Sequence, residues 1–132
     1  MTRLLALPLI LAAAAVPALA QDTSPAQLRA LYEAESGAAA DPAAGKAFFA
    51  AEHAGGKPET PSCVTCHTSD PRAAGQARTG KTIDPLAPAA NPARLTDSAK
   101  VAKWFGRNCN SVLGRDCTAA EKANIVAWLA SF

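Results

Sequence analysis

Cys63-Val64-Thr65-Cys66-His67 sets two thiols two residues apart and follows them at once with an imidazole. That spacing suits covalent attachment of a c-type haem. Each thiol adds to one porphyrin vinyl group, and the two intervening residues let both sulfurs reach from one short turn. The histidine then stands under the ring as proximal iron ligand. Two other chemistries use paired cysteines. A thioredoxin-like dithiol needs a neighbouring βαβ pattern, and the sequence offers no strand of that kind. A zinc site needs two more ligands, and Cys109 with Cys117 does not make a usual zinc knuckle.

The segments that must carry this motif begin after an export signal. Met1-Thr2-Arg3 leads into an apolar run from Leu4 to Ala20, closing on Ala18-Leu19-Ala20 before polar Gln21-Asp22. This reads as a secretory signal peptide over 1–20, cleaved after Ala20. A retained membrane anchor fits less well, because Pro8 and Pro17 interrupt a run already short for a span. The expected working protein is Gln21 to Phe132, exported, soluble and periplasmic, with no membrane span once the signal is gone. Its length suits one domain whose core a large apolar cofactor would help to fill.

Loss of Arg3 leaves 12 of the 13 basic residues against 11 acidic ones. Two haem propionates would bring the total close to neutral. This balance argues against nucleic acid and against a strongly charged docking face. If Cys63 and Cys66 hold haem, Cys109 and Cys117 remain, and an oxidising compartment should join them. So small a loop contributes roughly 2–3 kcal/mol by chain entropy.

Ser24-Pro25-Ala26-Gln27 predicts a helix start, with Leu28, Leu31 and Tyr32 at helical spacing until Gly37. Asp41-Pro42 predicts a second helix through Gly45, Phe48 and Phe49 to about Glu52, with Gly45 leaving a notch beside the Phe49 ring. Thr68 to Leu95, punctuated by glycines and prolines, reads as loop, and so long a loop implies that it wraps something. Thr96-Asp97-Ser98 caps a short helix with Val101, Trp104 and Phe105, ending near Gly106. Thr118-Ala119-Ala120-Glu121 is a capping box for a last helix that turns Ile125, Trp128, Leu129 and Phe132 inward. No strand is expected. The fold class is all-α: helices and loops wrapped round one covalently bound haem.

From about Asp41 to Phe132 this order of elements resembles the class I monohaem cytochromes c. The resemblance divides the chain into an N-terminal helical extension over 21–40 and a haem domain over 41–132. It also implies that Gly45, Phe49 and Trp128 meet where the first and last helices of that domain cross. Most class I members place a methionine on the second face of the iron. Here the only methionine is Met1. His53, a lysine, Asn108, Asn110, a cysteine, water, or no ligand at all remain open. A lysine would have to shed a proton at about 4–5 kcal/mol. His53 is chemically the strongest ligand but lies upstream, on the helix approaching the proximal side.

Arg107-Asn108-Cys109-Asn110, continuing to Cys117, is similar to the distal segment of the SHP-type oxygen-binding monohaem cytochromes c. Trp104-Phe105 and Pro85-Leu86-Ala87-Pro88 match as well. The resemblance implies Asn108 as distal ligand, and so His67 and Asn108 as the metal ligands of one covalent haem c. It also implies a Cys109–Cys117 disulfide. An amide is a weak, hard ligand that suits ferric better than ferrous iron. Asn108 is therefore expected to let go on reduction, as a distal gate, opening the ferrous haem to O2, NO or CO. The resemblance further implies an electron donor, either a dihaem cytochrome c or a membrane b-type cytochrome. Redox turnover of oxygen or nitric oxide at the haem stays open. So does the alternative of a simple low-potential electron carrier with no gas-binding role. Arg107 has two readings, as a partner for a propionate or bound anion and as a solvated side chain.

Overall fold

Ser24 and Asp41 start the first two helices in the same manner, each with a side-chain oxygen on a first-turn amide and a proline next in line. The Ser24 hydroxyl accepts from the Gln27 amide and opens α1 (Pro25–Ser36), which Gly37 closes in the left-handed region at φ 70. The Asp41 carboxylate accepts from the Ala43 amide and opens α2 (Pro42–Ala50). This computed structural model describes residues 21–132, so the expected signal peptide lies outside the described residues. Helix α2 stops two residues before Glu52. Its last turn is met by the buried Ser62 hydroxyl, which lies 3.2 and 3.3 Å from the Phe49 and Ala50 carbonyls.

The motif forms a single turn, α3 (Val64–His67). The wrapping segment follows, and it holds the one departure from an all-helical plan among the described residues. A two-residue antiparallel ladder joins β1 (Gly75–Gln76) to β2 (Thr82–Ile83), with Gly75 opposite Ile83. The segment begins and ends on strained backbone: among the described residues, Thr68 at φ 63 and Leu95 at φ 61 are the non-glycine positions with positive φ. Such conformations cost on the order of 1–3 kcal/mol and persist only when the surroundings over-determine them. The Thr68 hydroxyl donates to the Asp70 carbonyl at 2.9 Å, and Leu95 packs against two core clusters.

Helix α4 (Ser98–Leu113) is longer than the sequence predicts. Asp97 caps it through the Lys100 amide, and Asp22 adds its carboxylate to the Ser98 amide and hydroxyl at 2.8 and 2.6 Å. The expected stop at Gly106 is incorrect. Gly106 lies inside the helix, where a glycine costs about 1 kcal/mol relative to alanine without ending anything. The stop is Gly114, left-handed at φ 69. The distal segment of the sequence reading is therefore helix through Leu113, and Asn108 sits inside it.

Helix α5 (Ala119–Leu129) opens on the expected capping box: the Glu121 amide donates to the Thr118 hydroxyl and the Thr118 amide to the Glu121 carboxylate. Arg115 grips the same carboxylate at 2.8 and 2.9 Å and, with the Thr118 amide, holds it below the usual carboxylate range. A depressed carboxyl pKa stabilises above its ordinary value and loses that contribution as pH falls through the folded value. Glu121→Gln is thus expected to cost about 1 kcal/mol at neutral pH, the difference fading below about pH 4. Urea unfolding of both proteins at the two pH values checks this, and an equal loss at both would remove the ionised carboxylate from the account.

One face of α5, Ala123 and Val126, meets Leu28 and Tyr32 of α1 together with Val101. Another, Ile125, Trp128 and Leu129, meets Phe49 of α2. A third cluster joins Cys109, Val112, Leu113 and Cys117, and Phe105 borders all three. Phe132, expected inward, is 45% exposed. Beyond Leu129 the helix has ended and its phase no longer places side chains, so the ring lies across Trp128 at 5.8 Å with the Arg72 guanidinium over it. Among the described residues no helix is long and apolar enough to cross a membrane.

Candidate functional site

Packing from several directions holds the single turn α3 in place. Ser62, just before it, is tied to the end of α2, and the His53 amide donates to the Pro61 carbonyl at 2.7 Å. On its other side β1 passes so close that a side chain at Gly75 would run into the Cys66 carbonyl and the His67 Cα. Only glycine allows that approach. The Pro71 carbonyl, four residues after His67, accepts from both Leu86 and Ala87 amides at 2.8 and 2.9 Å. These bonds draw Leu86 into the cluster that also borders Cys63 and Val64.

Cys63 and Cys66 are half-buried and not bonded to each other. Burial pushes the Cys63 thiol up to about 11. The His67 ring lies 6.0 Å from Phe49, which in turn lies 5.0 Å from Trp128. Burial, and after it the Arg94 guanidinium, pushes the His67 pKa down, so the imidazole is neutral, the form that binds iron. Its Nδ1 is buried with no hydrogen-bond partner among the described residues, an arrangement that costs about 1–3 kcal/mol in a finished interior. Two unbonded thiols, a neutral and unengaged imidazole and an apolar surround fit a covalent haem. Among the described residues no three His, Cys, Asp or Glu side chains converge on a metal position, so the zinc alternative finds no ligand set.

Across α4 the two candidate asparagines part company. The exposed Asn110 has its amide nitrogen engaged, donating to the Gly106 carbonyl at 2.8 Å and the Asp116 carboxylate at 2.7 Å. Asn108 is half-buried, lies three residues beyond Phe105 and four before Val112 on the inner side of α4, and makes no side-chain hydrogen bond to a described residue. The end of α4 is fixed to the loop ahead of the motif, with the Ser111 carbonyl accepting from the Lys57 amide at 2.7 Å and the Thr60 hydroxyl at 3.0 Å. Cys109 and Cys117 are bonded to each other, with Cα atoms 5.5 Å apart. The bond ties the penultimate turn of α4 to the residue before the Thr118 cap, so the helix just beyond Asn108 is restrained at two points, Cys109 and Ser111.

His53 is occupied elsewhere. Its Nε2 is 2.9 Å from the Phe48 carbonyl and its ring packs on the Phe48 ring. Arg107 is exposed and lies over Trp104, in keeping with its solvated reading. The residue that sequence reasoning missed is Arg94, whose guanidinium donates to the Pro85 and Asp84 carbonyls at 2.8 and 2.7 Å and brings a positive charge near His67. Its partners are backbone carbonyls, which leave no mark in a sequence. A groove of about 490 Å3 opens elsewhere, between α1, α4 and the start of α5, against Tyr32, Ala102 and Lys122. It lies on the edge of α4 turned away from Asn108, about 135° round the helix, and takes no part in this site.

A short CxxCH turn, a wrapping loop and crossing helices at Gly45 define a class I cytochrome c-like protein with one covalent haem c. The chain is 63% identical over 131 residues, 99% of both chains, to the "Cytochrome c-type protein SHP" of Cereibacter sphaeroides. It belongs to the SHP family of monohaem c-type cytochromes. Residues 35–129 also match a family described as "Domain of unknown function (DUF1924)". A solved structure described as oxidised SHP, an oxygen-binding cytochrome c, superposes with a TM-score of 0.82 at 64% identity, covering 84% of this chain and 99% of that one. Oxidised cytochrome c'' of Methylophilus methylotrophus gives 0.68 at 36% identity, covering 81% and 93%.

Proposed function

We propose that this chain is an exported, periplasmic haem protein that binds a diatomic gas when reduced. Cys63 and Cys66 hold the haem by thioether bonds, His67 ligates the iron from one side, and Asn108 ligates it from the other in the ferric state. On reduction the Asn108 carboxamide lets go and leaves the distal side open. The haem supplies an iron that takes O2, NO or CO when ferrous. A partner cytochrome supplies the electron. The oxygen-binding description of SHP, at this level of identity, supports the reading.

One observation carries it. Asn108 stands on the inner side of α4 with a carboxamide that bonds no described residue, while Asn110 two positions on is exposed with its amide nitrogen committed to Gly106 and Asp116, and no methionine follows Met1. A neutral amide oxygen offers a hard, weak bond, matched to ferric iron and poorly matched to ferrous. The Cys109–Cys117 bond keeps the released side chain near the opening it has left.

Absorption spectra of the purified protein in both oxidation states, with and without CO, test the reading. Ferrous protein is expected to be high-spin and to shift its Soret band on adding CO. Asn108→Ala should change the ferric spectrum and leave the ferrous spectrum and its CO complex nearly as they were. A low-spin ferrous spectrum that ignores CO would instead make the protein a plain electron carrier with two retained ligands.

A further inference from the structure

The near-neutral total charge conceals a local imbalance on α4. Between Ser98 and Leu113 the helix carries Lys100, Lys103 and Arg107, all exposed, and no carboxylate. Asp97, at its cap, pairs with Lys100 at 3.2 Å and leaves the other two cations uncompensated along the helix. Between them stands Trp104, 46% exposed. The Lys103 ammonium and the Arg107 guanidinium lie 5.7 and 5.5 Å from the centre of its ring and hold it at the surface. At 100° per residue, Trp104 is only about 40° round the helix from Asn108 and one turn earlier. Trp104 therefore borders the side of α4 on which Asn108 lies, and the cations extend from it further round the helix, Arg107 about 100° and Lys103 about 140° from Asn108.

Resting on the haem reading above, we propose that Trp104, Lys103 and Arg107, with Lys100 at the edge, form the docking surface for an acidic electron-donor protein. Aromatic and arginine side chains are the residue types that dominate interface energies, and a rim of like charge steers an oppositely charged partner. An anionic membrane is the other surface that would attract such a stripe. Each cation contributes only about 1 kcal/mol there, one of the three is already paired, and Trp104 has no row of apolar neighbours to insert. A protein donor suits the patch better because it delivers its electron beside the side chain that must respond to reduction. The step balances with the donor alone: one electron passes from it to the haem, and the one bond that breaks is that of the Asn108 carboxamide, whose oxygen keeps the electron pair.

Stopped-flow reduction of the ferric holoprotein tests this with two probes, a reduced acidic flavodoxin and uncharged photoreduced lumiflavin. For wild type, the flavodoxin rate constant should fall at least about tenfold between low salt and 0.3 M salt. In the double variant Lys103→Glu with Arg107→Glu it should be at least about tenfold lower at low salt and indifferent to salt. Trp104→Ala should lower the flavodoxin rate at high salt as well. The lumiflavin rate, the circular dichroism and the ferrous CO spectrum should stay as in wild type in both variants. A charge-reversed protein reduced by flavodoxin at the wild-type rate would overturn the proposal, as would flavodoxin and lumiflavin rates falling together. Sedimentation with phosphatidylglycerol vesicles, lost in the double variant, would overturn it in favour of a membrane surface. Failure of the wild-type ferrous protein to bind CO would strike the gas-binding reading alone, since the salt dependence is read on ferric protein.

Discussion

Gly45→Val should yield little or no folded protein, and Gly45→Ala should lose about 2–4 kcal/mol. At Gly45 helix α2 rests on the backbone of α5. A Cβ there would fall on the Asn124 carbonyl and reach the Ile125 nitrogen at 3.0 Å. These atoms belong to a helix and cannot step aside as a side-chain tip could. The start of α2 is pinned to the same place, because the Asp41 amide donates to the Asn124 side chain at 2.7 Å. Alanine brings about 1 kcal/mol of helix propensity, which opposes the clash without cancelling it. The helices must separate, and the cluster of Phe49, Ile125, Trp128 and Leu129 opens with them. Urea unfolding of the holoprotein measures this. A wild-type midpoint for Gly45→Ala would mean that the two helices have slack to spare.

The second large effect is expected at His67. On the proposed ligation, His67→Gly removes the permanent iron ligand while Cys63 and Cys66 keep the haem on the chain. It also empties a space beside Phe49. The variant should mature in low yield, with a Soret band displaced from wild type in both oxidation states. Imidazole added to the solution should restore most of the wild-type spectrum, because the vacated site is shaped for that ring. Unchanged spectra without imidazole would show that another side chain holds the iron and would undo the ligand assignment.

What was legible in the sequence was local chemistry. The thiol spacing, the Ser24, Asp41 and Asp97 caps and the Thr118–Glu121 box each depend on residues a few positions apart, and the caps and the box stand as expected. The Gly45, Phe49 and Trp128 crossing was legible through family resemblance and is present, the two rings 5.0 Å apart. Gly106 misled because a glycine reads as a helix stop wherever it occurs. A glycine ends a helix by turning left-handed, which Gly114 does and Gly106 does not. The β1–β2 ladder is too short to leave a period. The Arg94 anchors are carbonyls, alike at every position in a sequence. The α4 patch escaped notice because a charge total averages over surfaces that only the fold separates.

Helix α5 is the principal partner of both α1 and α2, yet it follows them, and the Cys63–His67 turn, in chain order. The bond from Asp41 to Asn124 spans 83 positions. Closing so long a loop is slow, and until it closes the earlier helices lack the surface that orders them. Because Cys63 borders the cluster to which α5 gives Ile125, Trp128 and Leu129, the apolar wall beside the haem motif is complete only once α5 has docked. The last segment of the chain thus closes the surface against which the first haem-bearing cysteine sits, and a chain cut short before it would leave that side open.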